Sequence, residues 1–167
     1  MTPKLQRIAI DSPMGGLEIL SSARGVCAVW FSEDSRDLQE ILPRRLYDQS
    51  MVRGDPFDAG SALGDWFSGS RFRIETLPLD IQGTRFQAAV WTELRQIPWG
   101  RTLSYGQLAR RIGRPRAARA IGAACGANPI PIIVPCHRVI GADGKLTGFS
   151  CGLERKRWLL DFEQPQA

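Results

Sequence analysis

Between Ser104 and Cys125 the chain reads as a capped helix, a short break and a second helix, and this pairing constrains the fold of the second half more than any other feature. Ser104 is a strong N-cap for a helix over Tyr105–Ile112, because its side-chain oxygen accepts a hydrogen bond from an unpaired N–H of the first turn. Gly113 and Pro115 punctuate the chain, and Arg116–Cys125 resumes a helical pattern. Helix, glycine-bearing turn and helix is the helix-turn-helix outline. Many helical hairpins bind nothing, so the second helix decides the reading. Its opening, Arg116-Ala117-Ala118-Arg119-Ala120, is a low alanine face flanked by arginines, a shape suited to insertion into a groove. An alanine face packed on a neighbouring helix is the alternative.

The surrounding segments place this unit in a two-part chain. Thr84 caps a helix running to about Gln96, with Phe86, Val90, Leu94 and Ile97 on one face, and Pro98–Gly100 ends it. Asn128–Val134 reads as an extended buried run, Gly141–Gly144 as a hairpin turn, Gly148–Gly152 as a small-residue loop, and a final helix runs from Gly152 to about Glu163. In the first half three β-like runs, Gln6–Ile10, Leu17–Ser21 and Val26–Phe31, are separated by turns at Pro13–Gly16 and Arg24–Gly25, the pattern of an antiparallel meander. Helices are expected over Asp34–Leu46 and Asp58–Phe67, and an extended linker over Phe72–Leu79. The fold class is α+β: a small antiparallel sheet with helices over residues 1–80, and a mostly helical domain with the helix-turn-helix over residues 81–167.

Charge divides the chain in the same place. The formal net charge is +5, but residues 1–83 carry −3 and residues 84–167 carry +8. From Leu94 to Ala142 there is no carboxylate and there are eight arginines. A solvated surface ordinarily mixes signs, so a one-sign segment implies a polyanionic partner, most simply nucleic acid. The dominance of arginine over lysine favours forked contacts to phosphates or bases. With 43% apolar and 23% charged residues the chain is not disordered, and no apolar run approaches the ~20 residues of a bilayer span. The N-terminal MTPKLQRIAI lacks a secretory h-region, so a cytoplasmic protein with reduced thiols is expected.

Of the four cysteines, at 27, 125, 136 and 151, none forms a CxxC pair, and His137 is the only histidine, which excludes any site needing two. Cys136 stands directly before it. A thiolate is the nucleophile of cysteine chemistry, and a neighbouring base raises its availability. Adjacent side chains in a strand point to opposite faces, so a turn or a bridging water is required to connect the two. A buried structural thiol is the bland alternative.

Val134-Pro135-Cys136-His137-Arg138-Val139 resembles the active-site motif of the O6-alkylguanine-DNA alkyltransferases, or methylated-DNA–protein-cysteine methyltransferases. The resemblance extends in the family's order through Phe86-Gln87-Ala88-Ala89-Val90-Trp91, Ile97-Pro98-Trp99-Gly100, Ser104-Tyr105-Gly106-Gln107-Leu108-Ala109, Ala117-Ala118-Arg119-Ala120-Ile121-Gly122, Asn128-Pro129 and Trp158-Leu159-Leu160 with Glu163. It covers residues 84–163, about half the chain; the first half fits the family's ribonuclease H-like N-terminal domain only in outline.

The resemblance implies direct DNA repair: removal of alkyl groups from O6-alkylguanine, and from O4-alkylthymine, in duplex DNA by base flipping and irreversible, stoichiometric transfer to Cys136. It assigns His137 and Glu163 to proton transfer, Asn128 to site geometry, and Tyr105 to turning the nucleotide and donating to the base. Arg119 is the finger that fills the gap in the stack, and Ser104, Tyr105, Ala117 and Ala118 join it at the DNA, approached from the minor groove. Ser150, Phe149, Val139 and Pro131 are expected at the substrate pocket. Phe149 stands where many members have tyrosine, so a hydroxyl is missing and weaker contacts to the leaving group are expected; Cys151 stands where glycine is usual, which implies a narrower pocket rim. No cofactor is implied. Some members hold zinc in the N-terminal domain, but here that half has Cys27 and no histidine, so no metal is expected. A monomer is expected. A lesion-binding module without transfer, and a thiol hydrolase built on Cys136, His137 and Glu163, are the competing classes.

Overall fold

Six consecutive buried residues, Val26-Cys27-Ala28-Val29-Trp30-Phe31, form strand β3 (Val26–Phe31), the apolar run expected of a strand covered on both faces. The computed structural model describes residues 4–34, 38–42, 44–46 and 49–165. Contacts divide the chain into two compact units that meet between Gln82 and Gly83.

In the first unit β1 (Leu5–Ile10), β2 (Leu17–Ser21) and β3 form the antiparallel meander, with Ile8 opposite Ile19 and Ile19 opposite Val29. A fourth strand, β4 (Met51–Arg53), joins β1 in parallel and gives the sheet order β3-β2-β1-β4. Sequence reading missed it because its three residues are all exposed and show no alternation. Of the helix expected over Asp34–Leu46, the described residues contain one turn, α1 (Leu38–Ile41), and a 3-10 turn at Arg44–Leu46; residues 35–37 and 43 lie outside them. Helix α2 (Ala59–Phe67) buries Leu63 and Trp66, and its first N–H groups, Ala59 and Gly60, donate to the Asp55 carboxylate at 2.8 Å each. The expected linker at Phe72–Leu79 instead begins as a helix, α3 (Phe72–Thr76), which buries Ile74 and sets Arg73 on Asp65 at 2.8 Å. The ion pair and one buried residue decide that segment, whose apolar alternation is weak.

In the second unit two capping boxes start two helices. Thr84 accepts from Gln87 N–H at the head of α4 (Arg85–Leu94), and Ser104 accepts from Gln107 N–H at the head of α5 (Tyr105–Arg111), each glutamine donor being returned by its side chain. Helix α4 buries Val90, Trp91 and Leu94, with Phe86 half-buried, and the Trp91 indole N–H donates to the Ala124 carbonyl at 2.9 Å. That bond docks α4 on α6 (Ala118–Gly126). Helix α6 starts two residues later than the sequence suggested, after the turn at Gly113, whose φ of +71° suits glycine. Helices α5 and α6 pack together as the helix-turn-helix outline requires.

Residues 128–134 do not form the expected extended run. They wind around the Asn128 side chain: Asn128 Nδ2 donates to the Val134 carbonyl at 2.8 Å, and Asn128 Oδ1 accepts from Ile130 N–H at 3.0 Å. Ile132 takes φ +74°, a costly conformation for a β-branched residue. The chain then makes a 3-10 turn at Cys136–Arg138 and enters β6 (Val139–Ile140), which pairs in parallel with β5 (Leu103–Ser104). This two-residue clip ties the turn bearing Cys136 to the start of α5. The last helix, α7 (Leu153–Glu163), follows Gly152.

Because Ser104 caps α5 and belongs to the β5–β6 clip, Ser104→Ala is expected to lower stability by about 1 kcal/mol, read as a reduced denaturant midpoint. An unchanged midpoint would show that the cap contributes nothing.

Candidate active site

A 3-10 turn, not a strand, carries the adjacent cysteine and histidine, and both side chains are buried. Cys136 is 3% exposed, His137 0% and Glu163 1%. His137 Nε2 lies 2.8 Å from Glu163 Oε1. Arg138 grips the same carboxylate with both arms, Nε to Oε2 and Nη2 to Oε1, each at 2.8 Å, and spends Nη1 on the Ile97 carbonyl at 2.6 Å. Gly100 N–H points at Oε2 from 3.4 Å; at φ +70°, a Cβ there would meet the Glu163 carbonyl oxygen at 2.8 Å, so glycine is required.

These contacts fix protonation. Burial alone would raise the Glu163 pKa, but hydrogen bonds from His137 and Arg138 outweigh it and hold the carboxyl at about 2. Burial pushes His137 below its ordinary value against the pull of Glu163. An ionised carboxylate only accepts, so neutral His137 carries its proton on Nε2 and leaves Nδ1 as the basic nitrogen. Nδ1 is buried and has no hydrogen-bond partner among the described residues.

Asn128 Nδ2 also donates to Cys136 Sγ at 3.2 Å. Burial pushes the Cys136 thiol up to about 12, opposed by that N–H and by the ammonium of Lys156. Lys156 is fully buried and donates to the carbonyls of Val139 (2.6 Å), Gly148 (3.2 Å) and Thr147 (3.4 Å). It also lies 5.8 Å from the centre of the Tyr105 ring. The Tyr105 hydroxyl donates to Thr147 O at 2.7 Å, and burial raises its pKa.

Cys136 opens onto a cleft of about 410 Å³. One wall is α6, through Ala118, Arg119, Gly122 and Cys125; the other is Tyr105 with the segment Thr147–Phe149. Of the expected site residues, the cleft brings together Cys136, Tyr105, Arg119, Ala118 and Phe149. Asn128, His137 and Glu163 stand behind the thiol. Ala117 caps α6 half-buried, and the Ser104 hydroxyl is occupied by the helix cap. Ser150 is exposed, Pro131 and Val139 are buried, and none of the three lines the cleft. Cys151, expected at the rim, is 6% exposed and does not line it either; Cys125 does.

Sequence reading missed four participants: Arg138, Thr147, Lys156 and Cys125. Lys156 was detectable, since Lys156, Leu159 and Glu163 repeat at the spacing of one helix face and all three are buried. Among the described residues no group of metal-binding side chains is assembled.

A family model described as the DNA-binding domain of 6-O-methylguanine DNA methyltransferase matches residues 85–165. A methylated-DNA–protein-cysteine methyltransferase of Salmonella typhimurium is 54% identical over 92% of this chain and 92% of its own length. This chain belongs to that family. A namesake from Methanosarcina acetivorans is 40% identical over 92% of this chain and 94% of its own. The crystal structure of the Mycobacterium tuberculosis O6-methylguanine methyltransferase superposes with a TM-score of 0.81 at 41% identity, covering 96% of this chain and 93% of that one. A structure of Mycobacterium tuberculosis OGT in complex with DNA gives 0.81 at 40%, covering 96% and 92%. The sheet-and-helix first unit and the second unit both fall within these matches.

Two outcomes test the electrostatics. With the Cys136 thiol held near 12, its carboxamidomethylation by iodoacetamide is expected to be slow at pH 7 and to climb about tenfold per pH unit up to pH ~9, read by peptide mass; a plateau below pH ~9 would show a preformed thiolate. Glu163 has a folded pKa below its ordinary 4.5, so its stabilisation is complete above pH 4.5 and is lost as pH falls toward about 2. The stability difference between the wild type and Glu163→Gln should therefore shrink across that window; a constant difference would place the stabilisation elsewhere.

Proposed function

We propose that this protein repairs duplex DNA by taking the alkyl group of O6-alkylguanine, and of O4-alkylthymine, onto Cys136 in an irreversible, one-for-one transfer. The observation that carries the reading is a buried thiol, backed by a carboxylate-histidine pair, at the bottom of a cleft walled by the second helix of a helix-turn-helix. Such a cleft accepts a base only after it has been rotated out of the stack.

The residues divide the work as follows. Arg119, exposed at the cleft on α6, enters the stack from the minor groove in place of the extruded base, while Ala117 and Ala118 keep the helix low enough to approach. Phe149 offers a flat apolar surface to the alkylated base. Burial holds the resting thiol well above its ordinary value and therefore protonated at pH 7, so deprotonation is coupled to substrate arrival. His137 Nδ1 takes the thiol proton through a water molecule, and the imidazolium so formed is stabilised by Glu163, which Arg138 keeps ionised. Asn128 N–H and the Lys156 ammonium stabilise the sulfur as it gains charge. Cys136 Sγ then attacks the alkyl carbon, the C–O bond breaks, and the base oxygen accumulates charge. Tyr105, released from Thr147, donates to the base at that moment. Displacement at saturated carbon by a soft sulfur needs no cofactor, and the product thioether is inert. The protein acts as a cytoplasmic monomer; no helix among the described residues is long and apolar enough to cross a membrane.

Incubation with duplex DNA containing O6-methylguanine is expected to add one methyl group per chain, mapped to Cys136 and lost in Cys136→Ala. An unchanged mass with retained DNA binding would make the protein a lesion-binding module, and turnover of an ester without a retained mark would make it a hydrolase. Arg119→Ala should slow repair of duplex DNA by roughly tenfold or more while barely changing reaction with free O6-benzylguanine, where nothing is extruded. Equal losses on both substrates would remove the finger role.

A further inference from the structure

Alkyl transfer as described uses one sulfur, yet the cleft has two. Cys125, in the last turn of α6, lines the same wall-to-wall space as Cys136 and is 8% exposed. Asn128 links the two segments: its backbone N–H donates to the Cys125 backbone carbonyl at 3.2 Å, and its side-chain amide donates to Cys136 Sγ at 3.2 Å. The ammonium of Lys156 acts on both thiols and eases the ionisation of each against the burial that opposes it. Cys27 lies in the other unit, and Cys151, though buried, does not line the cleft.

We propose that Cys125 is a second nucleophile of this cleft, which captures two-carbon alkyl groups bearing a second leaving group and closes them into a thioether bridge with Cys136. The proposal rests on the transfer reading above and extends it to bifunctional lesions such as O6-(2-haloethyl)guanine. In the first step Cys136 sulfur attacks the alkyl carbon, the C–O bond breaks, and guanine leaves with that electron pair and takes up a proton. The product, Cys136–S–CH2CH2–X, is not inert as a methyl thioether is. Its sulfur displaces X⁻ from the second carbon and forms a three-membered episulfonium ring. Cys125 sulfur opens that ring, a new C–S bond forms, the ring C–S bond breaks back to neutral Cys136 sulfur, and the Cys125 proton passes to solvent. The net change in the second stage is loss of HX, with no oxidation or reduction. Water and the nucleic acid bases compete for the ring, but a well-oriented partner in the same site reaches effective concentrations up to ~10⁵ M or more. A chain with this second thiol closes the reactive intermediate on itself instead of on the DNA it has just repaired.

The test uses the intact protein and two duplexes, one containing O6-methylguanine and one freshly treated with a chloroethylating nitrosourea. Intact mass is expected to rise by ~14 Da with the first and by ~26 Da with the second, the latter corresponding to an ethylene group replacing two thiol hydrogens. Arg119 and Arg138 bound a tryptic peptide, residues 120–138, that holds both thiols, so the bridge appears there as an internal loop between Cys125 and Cys136 in the fragment spectrum. Cys125→Ala is expected to raise the fraction of chains covalently attached to the chloroethylated duplex several-fold. A ~14 Da gain with the methylated duplex, accompanied by a ~44 Da hydroxyethyl mark, a bridge to Cys151 or DNA attachment alone with the other, overturns the capture role and leaves the repair reading standing. No gain with either duplex overturns both.

Discussion

One carboxylate organises the second unit. Glu163 is buried at the end of α7, and an unpaired charge there would be prohibitive, so the chain surrounds it with Arg138, His137 and the Gly100 amide. Removing one partner from a buried ion pair costs ~3–5 kcal/mol, because the remaining charge is left unpaired. The same contacts have a chemical effect. Arg138 keeps the carboxylate ionised at any physiological pH, and the ionised carboxylate dictates which histidine nitrogen holds the proton. A structural requirement and the tautomer of the histidine are thus set by one cluster, on residues that follow the thiol in the chain.

The thiol and helix α6 share a frame. Asn128 follows α6 and binds Cys136; β6 follows Cys136 and pairs with the strand that starts α5; Lys156 reaches from α7 to hold Val139, Thr147 and Gly148. Tyr105 closes the circuit on Thr147. Both walls of the cleft carry residues of the helix pair, Tyr105 from α5 on one side and α6 on the other. Helix α6 thus reaches the mouth of the thiol's pocket, and the distance between the two is fixed by packing. This is the pre-organisation that a displacement reaction needs when its nucleophile is weak in the resting state.

The parts of this arrangement that depend on neighbouring residues were readable in the sequence. Thr84 and Ser104 each have glutamine three residues on, and both capping boxes form where that spacing puts them. The pairing of Cys136 with the sole histidine marked the chemistry, and the ordered family motifs supplied Glu163 and Asn128, which composition alone could not. What escaped depends on distant partners. β4 is three exposed residues whose only credential is the β1 edge. The run Ile130-Pro131-Ile132-Ile133-Val134 has a strand's composition but is bent by one asparagine side chain. Phe72–Thr76 forms a helix that buries Ile74 and carries Arg73 to Asp65, a partner eight residues away that local alternation does not reveal. Lys156 is fully buried although lysine ordinarily stays in water, and only its helical phase with Leu159 and Glu163 betrays it. Cys125 was read as the end of a helix, and nothing local announces that it shares a cavity with Cys136.

Ile132 bears on how such a chain can change. Its left-handed backbone sits four residues before the nucleophile, inside the loop that Asn128 folds. A glycine there would relax the strain but forfeit the burial of a side chain that is 2% exposed, a net loss of stability. It would also loosen the connection between the end of α6 and the buried sulfur, exchanging a rigid mount for a pliable one. Packing and aim therefore favour the same strained isoleucine, at a residue that does not line the cleft.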